Sequence, residues 1–147
     1  MITDSIEKAY ADFESRKWDK IYIALDIHGT VADSDYKKPS SRLYDIAIEP
    51  LQIISNLPEV CIILFSCCHP EHYRSYFDLF KIYDINVKYF NCNPEVANTE
   101  TGCFDRKFYY NLIFEDKGGF SPNEWPLVQE AFLRCRKTNK RIKEIYV

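Results

Sequence analysis

The chain predicts an α/β fold, a three-layer sandwich in which a mainly parallel sheet carries helices on both faces. Three observations lead there. Short, nearly continuous apolar runs rich in branched and aromatic residues have the composition of strands buried on both sides. Between them lie segments with apolar residues three and four positions apart, the spacing of amphipathic helices. Strands alternating with helices build βαβ units, and the strands of such units run parallel.

Residues 4–17 open the series as an amphipathic helix, with Ile6, Tyr10 and Phe13 on one stripe and Thr3 or Asp4 as its cap. Residues 21–25 (Ile-Tyr-Ile-Ala-Leu) are the first buried strand. Ser40 or Ser41 is expected to cap a helix over 43–56, where Leu43, Ile46, Ala47, Pro50, Leu51 and Ile54 fall near one face. Pro50 predicts a split or kink in its middle. Residues 60–65 (Val-Cys-Ile-Ile-Leu-Phe) are the second strand. The helix over 70–83 carries Tyr73, Tyr76, Phe77 and Phe80 along a stripe of core aromatics. Strands at 87–90 and 110–114, the turn Lys117-Gly118-Gly119-Phe120 and a helix over 122–136 continue the alternation. An edge strand is expected over 142–147. The arrangement is Rossmann-like, and ligands of such sheets bind at the carboxyl ends of the strands.

A length of 147 residues predicts one domain around one core. It divides into a helix at 4–17, a body at 20–136 and a basic tail at 134–147. Apolar residues make up 46% and charged residues 28%, a balance that excludes intrinsic disorder. A net charge of -3 and a pI near 5.6 exclude strong, global attraction to nucleic acid. The local exception, Arg134-Cys135-Arg136-Lys137-Thr138-Asn139-Lys140-Arg141-Ile142-Lys143, reads as a helix end whose cations complement the helix dipole. Cys61, Cys67, Cys68, Cys92, Cys103 and Cys135 follow no secretory leader, and a reduced, cytoplasmic protein is expected. Cys67, Cys68, His69 and His72 are metal-ligand types, but no second Cys/His cluster completes a zinc site. No apolar run is long enough to span a bilayer, so no membrane partner is expected.

Polar groups follow three of the strands: Asp26 after the first, Ser66 after the second, Glu115-Asp116 after the fourth. Parallel alignment gathers these ends. A carboxylate behind a buried strand, followed by small Gly29-Thr30, presents an oxygen to an electrophile while neighbouring amides face phosphate oxygens. Carboxylates converging from two strands repel unless a cation lies between them, and hard oxygen ligands suit Mg²⁺.

In the order strand-Asp-x-x-Gly-Thr, strand-Ser, Lys, strand-acid pair, residues 20–120 resemble the haloacid dehalogenase superfamily of phosphoryl-transfer enzymes. The resemblance implies a nucleophilic Asp26 that forms an aspartyl-phosphate. It also implies phosphoryl contacts from Thr30 and Ser66, and charge neutralisation by Lys107. Mg²⁺ would be held by Asp26, Asp116 and the backbone carbonyl of His28, with Glu115 as the alternative or supporting acid. Lys107 is chosen over Lys117 because it precedes the last acidic strand, as the family's lysine does. Both intervals in which the family inserts its large caps are short here, so no large cap domain is expected.

His28 departs from the family pattern, which has a second aspartate there to protonate the leaving group and activate water. An imidazole titrates near pH 6.5 when unperturbed and is chemically able to serve both steps. The leading expectation is therefore a hydrolase acting on phosphate monoesters, with His28 beside Asp26 and Lys107 as its catalytic groups. The alternative is an impaired domain that binds metal, phosphate or a partner in a regulatory role. Processing of nucleic-acid phosphate ends ranks third, on the open, capless site and the basic tail. His69 and His72 follow the second strand and border the same cleft in this reading.

Overall fold

The computed structural model describes residues 1–33 and 37–146; Val147, the last residue of the expected edge strand, lies outside them. Four strands form an all-parallel sheet: β1 (Ile21–Asp26), β2 (Val60–Phe65), β3 (Tyr89–Phe90) and β4 (Leu112–Phe114), in the order β3-β2-β1-β4. Among the described residues five α-helices accompany them: α1 (Ile2–Ser15), α2 (Asp45–Ser55), α3 (Tyr73–Ile82), α4 (Trp125–Thr138) and α5 (Lys140–Tyr146). The result is a Rossmann-like α/β arrangement, a parallel sheet flanked by helices.

Alternation along the strands separates two faces. Ile21, Ile23 and Leu25 of β1, Ile62 and Leu64 of β2, and Leu112 and Phe114 of β4 join one apolar cluster. Phe13 of α1, Leu51 of α2, Phe80 of α3 and Phe132 of α4 belong to the same cluster. The opposite face presents Tyr22, Cys61, Ala24, Ile63 and, at the carboxyl ends, Asp26 paired in register with Phe65. Across this face runs the irregular segment 91–111, whose Tyr109 and Phe108 rings meet Tyr22 and Phe65 at 6.0 and 6.4 Å.

Helices are thus found on one face where both were expected, and the physical reason is topological. β1 to β2 to β3 steps in one direction through α2 and α3; the chain then jumps past β1 to β4. A right-handed return must pass over the opposite face. The Asn-, Asp- and Gly-containing stretch that makes this return has turn chemistry, not helical periodicity. The jump also makes the gap between β1 and β4 a topological switch point, where parallel sheets open a crevice.

Local boundaries correct several expectations. α1 begins at Ile2 with Met1 as N-cap, the terminal amine bonding Asp4, so neither Thr3 nor Asp4 is the cap. α2 begins at Asp45 with Tyr44 as N-cap instead of Ser40 or Ser41, and Pro50 is carried inside one uninterrupted helix. The expected helix over 70–83 divides into a 3-10 turn at Pro70–His72 and α3. A second division comes at Pro122–Glu124, ahead of α4.

The described residues of the edge strand expected over 142–147 belong instead to α5. Asn139 explains the difference: its Oδ1 accepts the Ile142 N–H at 3.1 Å while its Nδ2 donates to the Tyr10 carbonyl at 3.0 Å, capping the helix and pinning it to α1. The tail's arginines pair within the protein. Arg136 forks onto buried Glu59 at 2.9 and 3.2 Å, Arg141 bonds Asp19 at 2.9 Å and the Trp18 carbonyl at 3.1 Å, and Arg134 reaches Glu7 at 2.9 Å.

Candidate functional site

The carboxyl ends of β1, β2 and β4 open into a cleft of about 370 Å³ lined by Asp26, His28, Ser66, Glu115 and Asp116 among others. Asp26 is the last residue of β1, and the chain behind it turns tightly: Thr30, Val31 and Ala32 all direct their N–H groups at the Ile27 carbonyl. Gly29 makes this turn possible at φ +81°, and a Cβ there would overlap the Asp116 carboxylate. The bare glycine therefore lets the acid that follows β4 lie against the loop that follows β1.

Two carboxylates are consequently neighbours. Burial and the adjacent Asp116 carboxylate push Asp26 up to about 6, against the opposing pull of the Thr30 hydroxyl. Asp116 is held in place by its own turn, its Oδ1 accepting the Lys117 N–H at 2.9 Å. Glu115 also lines the cleft, but Asp116 is the acid that bears on Asp26.

Thr30 is positioned differently from the expectation of a phosphoryl contact. It is fully buried behind Asp26, donates its hydroxyl to Asp26 Oδ2 at 2.9 Å and accepts the Asp116 N–H at 3.1 Å. Its carbonyl accepts the indole N–H of buried Trp125 at 3.0 Å. The hydroxyl's proton is committed, so Thr30 joins β1 to β4 and orients both acids from below.

His28 is buried, with Nε2 2.8 Å from the Tyr76 hydroxyl. Burial lowers its pKa, and Asp116 opposes that shift, so the imidazole is mainly neutral at neutral pH. Tyr76 belongs to the apolar cluster, as its helical stripe predicted, yet its hydroxyl faces the cleft and also receives the Ser40 N–H at 3.4 Å. A tyrosine read only as core thus has a second role that periodicity does not reveal.

Ser66 lines the cleft directly after β2, and His69 and His72 line it from the following turn, together with Cys67 and Cys68. All six cysteines are free thiols. Lys107 is not among the lining residues; its ammonium lies 5.5 Å from the Tyr110 ring centroid, while the next residue, Phe108, packs on Phe65. The lysines that line the cleft are Lys37, Lys38 and Lys117. Sequence order alone favours Lys107 over Lys117; Lys37-Lys38 lies outside the motif order, and its sequence signal is a basic pair soon after Gly29-Thr30.

Among the described residues no three His, Cys, Asp or Glu side chains converge as a metal-binding group. Two neighbouring carboxylates are nevertheless hard-oxygen donors of the kind that bind Mg²⁺ with water completing its shell. The raised pKa of Asp26 beside Asp116 marks a position where a cation relieves repulsion, so the donors fit such an ion. No helix among the described residues is long and apolar enough to cross a membrane. Comparison with known proteins finds no matching family model, curated protein or solved structure.

Proposed function

We propose that the protein is a Mg²⁺-dependent phosphatase or phosphotransferase of the haloacid dehalogenase-like type, acting on phosphate monoesters through Asp26. The observation that carries the reading is the juxtaposition of Asp26 and Asp116 at the ends of adjacent parallel strands, at the switch point of the sheet. In this reading an Asp26 carboxylate oxygen attacks phosphorus and the ester P–O bond breaks. The alcohol oxygen leaves as its anion and takes a proton from solvent; water, giving a proton to His28, then attacks the aspartyl-phosphate, and the bond to Asp26 breaks to return the carboxylate and release inorganic phosphate. Asp26, Asp116 and the His28 backbone carbonyl would hold Mg²⁺, which when bound neutralises phosphoryl charge.

The remaining groups divide the work. Ser66 donates to a phosphoryl oxygen from the end of β2. Lys38 and Lys117 supply positive charge from two sides of the cleft, the part that family order assigns to Lys107. Thr30 aims Asp26 and Asp116. Neutral His28 accepts a proton from water more readily than it protonates a leaving group, so substrates with good leaving groups are turned over fastest.

The state of His28 also favours a second reading, a regulatory domain that binds Mg²⁺ and phosphate with little turnover. Its Nε2 is engaged by Tyr76, and burial disfavours the imidazolium a general acid requires. Phosphate release from an aryl phosphate separates the two. The enzyme reading predicts Mg²⁺-dependent release abolished by Asp26→Asn. Binding of Mg²⁺ and phosphate by calorimetry, without release from aryl, nucleotide, protein or sugar phosphates, establishes the regulatory reading instead.

A further inference from the structure

We infer that Asn91 is the positioning residue of the phosphate-binding corner, acting through Ser66. The inference rests on the phosphoryl-binding reading of the cleft. Asn91 directly follows β3, and its N–H continues the parallel pairing by donating to the Leu64 carbonyl at 2.8 Å. Its φ of +55° lies in the left-handed region, which asparagine tolerates better than most residues. That backbone turns the carboxamide back toward β2.

There the carboxamide brackets the peptide groups of Ser66. Oδ1 accepts the Ser66 N–H at 3.0 Å and Nδ2 donates to the Ser66 carbonyl at 2.7 Å. Nδ2 spends its second proton on the Tyr73 hydroxyl at 2.8 Å, which anchors the amide to α3. The Tyr73 ring is itself stacked on Phe90 at 3.8 Å. All the hydrogens and the carbonyl oxygen of the Asn91 amide are thereby used in fixing one residue and its support.

The consequence falls on the Ser66 hydroxyl. Its oxygen accepts the Cys68 N–H at 3.2 Å and its proton lies within hydrogen-bonding reach of the Cys68 thiol, beside it in the cleft wall, so an anionic oxygen in the cleft takes over a donor held only by a weak sulfur acceptor. A donor fixed in this way suits an anionic oxygen, and its strength depends on alignment. Asn91 touches neither Asp26 nor Asp116, so it serves the phosphate and not the metal.

The test is calorimetry of inorganic phosphate and of Mg²⁺ on wild type, Asn91→Gly, Ser66→Ala and the double variant. Glycine keeps the positive φ, so Asn91→Gly removes the amide without backbone strain. Phosphate affinity is expected to fall about tenfold in Asn91→Gly, the size of one misaligned hydrogen bond to a charged group. Mg²⁺ affinity is expected to stay unchanged. In the Ser66→Ala background, Asn91→Gly is expected to cause no further loss, because it acts through Ser66.

Equal losses in both backgrounds, or a lowered melting temperature with unchanged phosphate affinity, overturn the positioning role and leave the phosphoryl reading intact. Wild-type protein that binds no phosphate overturns both. If Asn91→Gly does not fold, Asn91→Asp, which has the same shape, enters the same cycle; its added charge acts in both backgrounds and cancels.

Discussion

Replacing Asp116 with asparagine changes one charge while keeping the side-chain oxygen that accepts the Lys117 N–H, and the structure sets the size of the effect. In the metal-free protein, burial and the Asp116 carboxylate hold Asp26 near 6, above its ordinary 3.8. A folded-state pKa above the unfolded one means that the folded chain binds more protons between the two values. Stability therefore falls as pH rises through that window. An unscreened shift of one unit is worth about 1.4 kcal/mol. Asp26 is only half-buried, so solvent screening reduces the whole contribution to about 1–2 kcal/mol.

Asp116→Asn removes the like charge but not the burial. At pH 7 the metal-free variant should then be more stable than wild type by about 1 kcal/mol, or about 3 °C in melting temperature. Mg²⁺ at about 100 times its Kd reverses the order, adding about 2.7 kcal/mol to wild type and almost nothing to the variant. Thermal melts at pH 5 and pH 7, with and without Mg²⁺, read both effects. A metal-free variant less stable than wild type at pH 7, or equal Mg²⁺ shifts in the two proteins, refutes the paired-carboxylate account.

Three further outcomes follow from other contacts. Gly29→Ala forces a Cβ into the Asp116 carboxylate at a positive φ, and should cost about 1–3 kcal/mol in denaturant melts while abolishing the Mg²⁺ response. Among the described residues, Arg136→Ala leaves the carboxylate of fully buried Glu59 with the Tyr10 hydroxyl at 2.7 Å as its remaining side-chain partner, and should cost about 3–5 kcal/mol by urea denaturation; a loss below about 1 kcal/mol contradicts a structural role. Lys38→Ala and Lys117→Ala should each weaken calorimetric phosphate binding several-fold more than Lys107→Ala, which does not line the cleft. The reverse ranking reinstates the order-based choice of Lys107.

How much of this was legible in the sequence depended on whether the signal was local. β2 falls on the predicted residues, because Val60 to Phe65 is an unbroken apolar run with no competing pattern. Asp26, Ser66 and Asp116 line one cleft because each lies at or just past the end of a strand, and parallel strands gather their ends. The last helix was misread as a strand because Ile142, Ile145 and Tyr146 are branched or aromatic; the Asn139 cap was the competing signal.

Contacts made across the fold left no local trace. Tyr76 reaches His28 over 48 residues and Trp125 reaches Thr30 over 95, while each fits its helix as an ordinary core aromatic. Thr30 is singled out by its place in the motif, but its direction, inward to Asp116 and away from the cleft, depends on how β4 sits beside β1. The lysines illustrate the same limit: chain order favours Lys107, whereas the cleft is lined by Lys37, Lys38 and Lys117.

The central claim is that Asp26 receives a phosphoryl group next to a metal shared with Asp116. The most direct measurement is a crystal structure of the protein with Mg²⁺ and beryllofluoride, whose tetrahedral anion stands in for a phosphoryl group bonded to a carboxylate. The account predicts beryllium bonded to an Asp26 oxygen, Ser66 donating to a fluoride, and Mg²⁺ bound by Asp26 and Asp116. Beryllofluoride absent from Asp26 under conditions that saturate the Mg²⁺ site would contradict it.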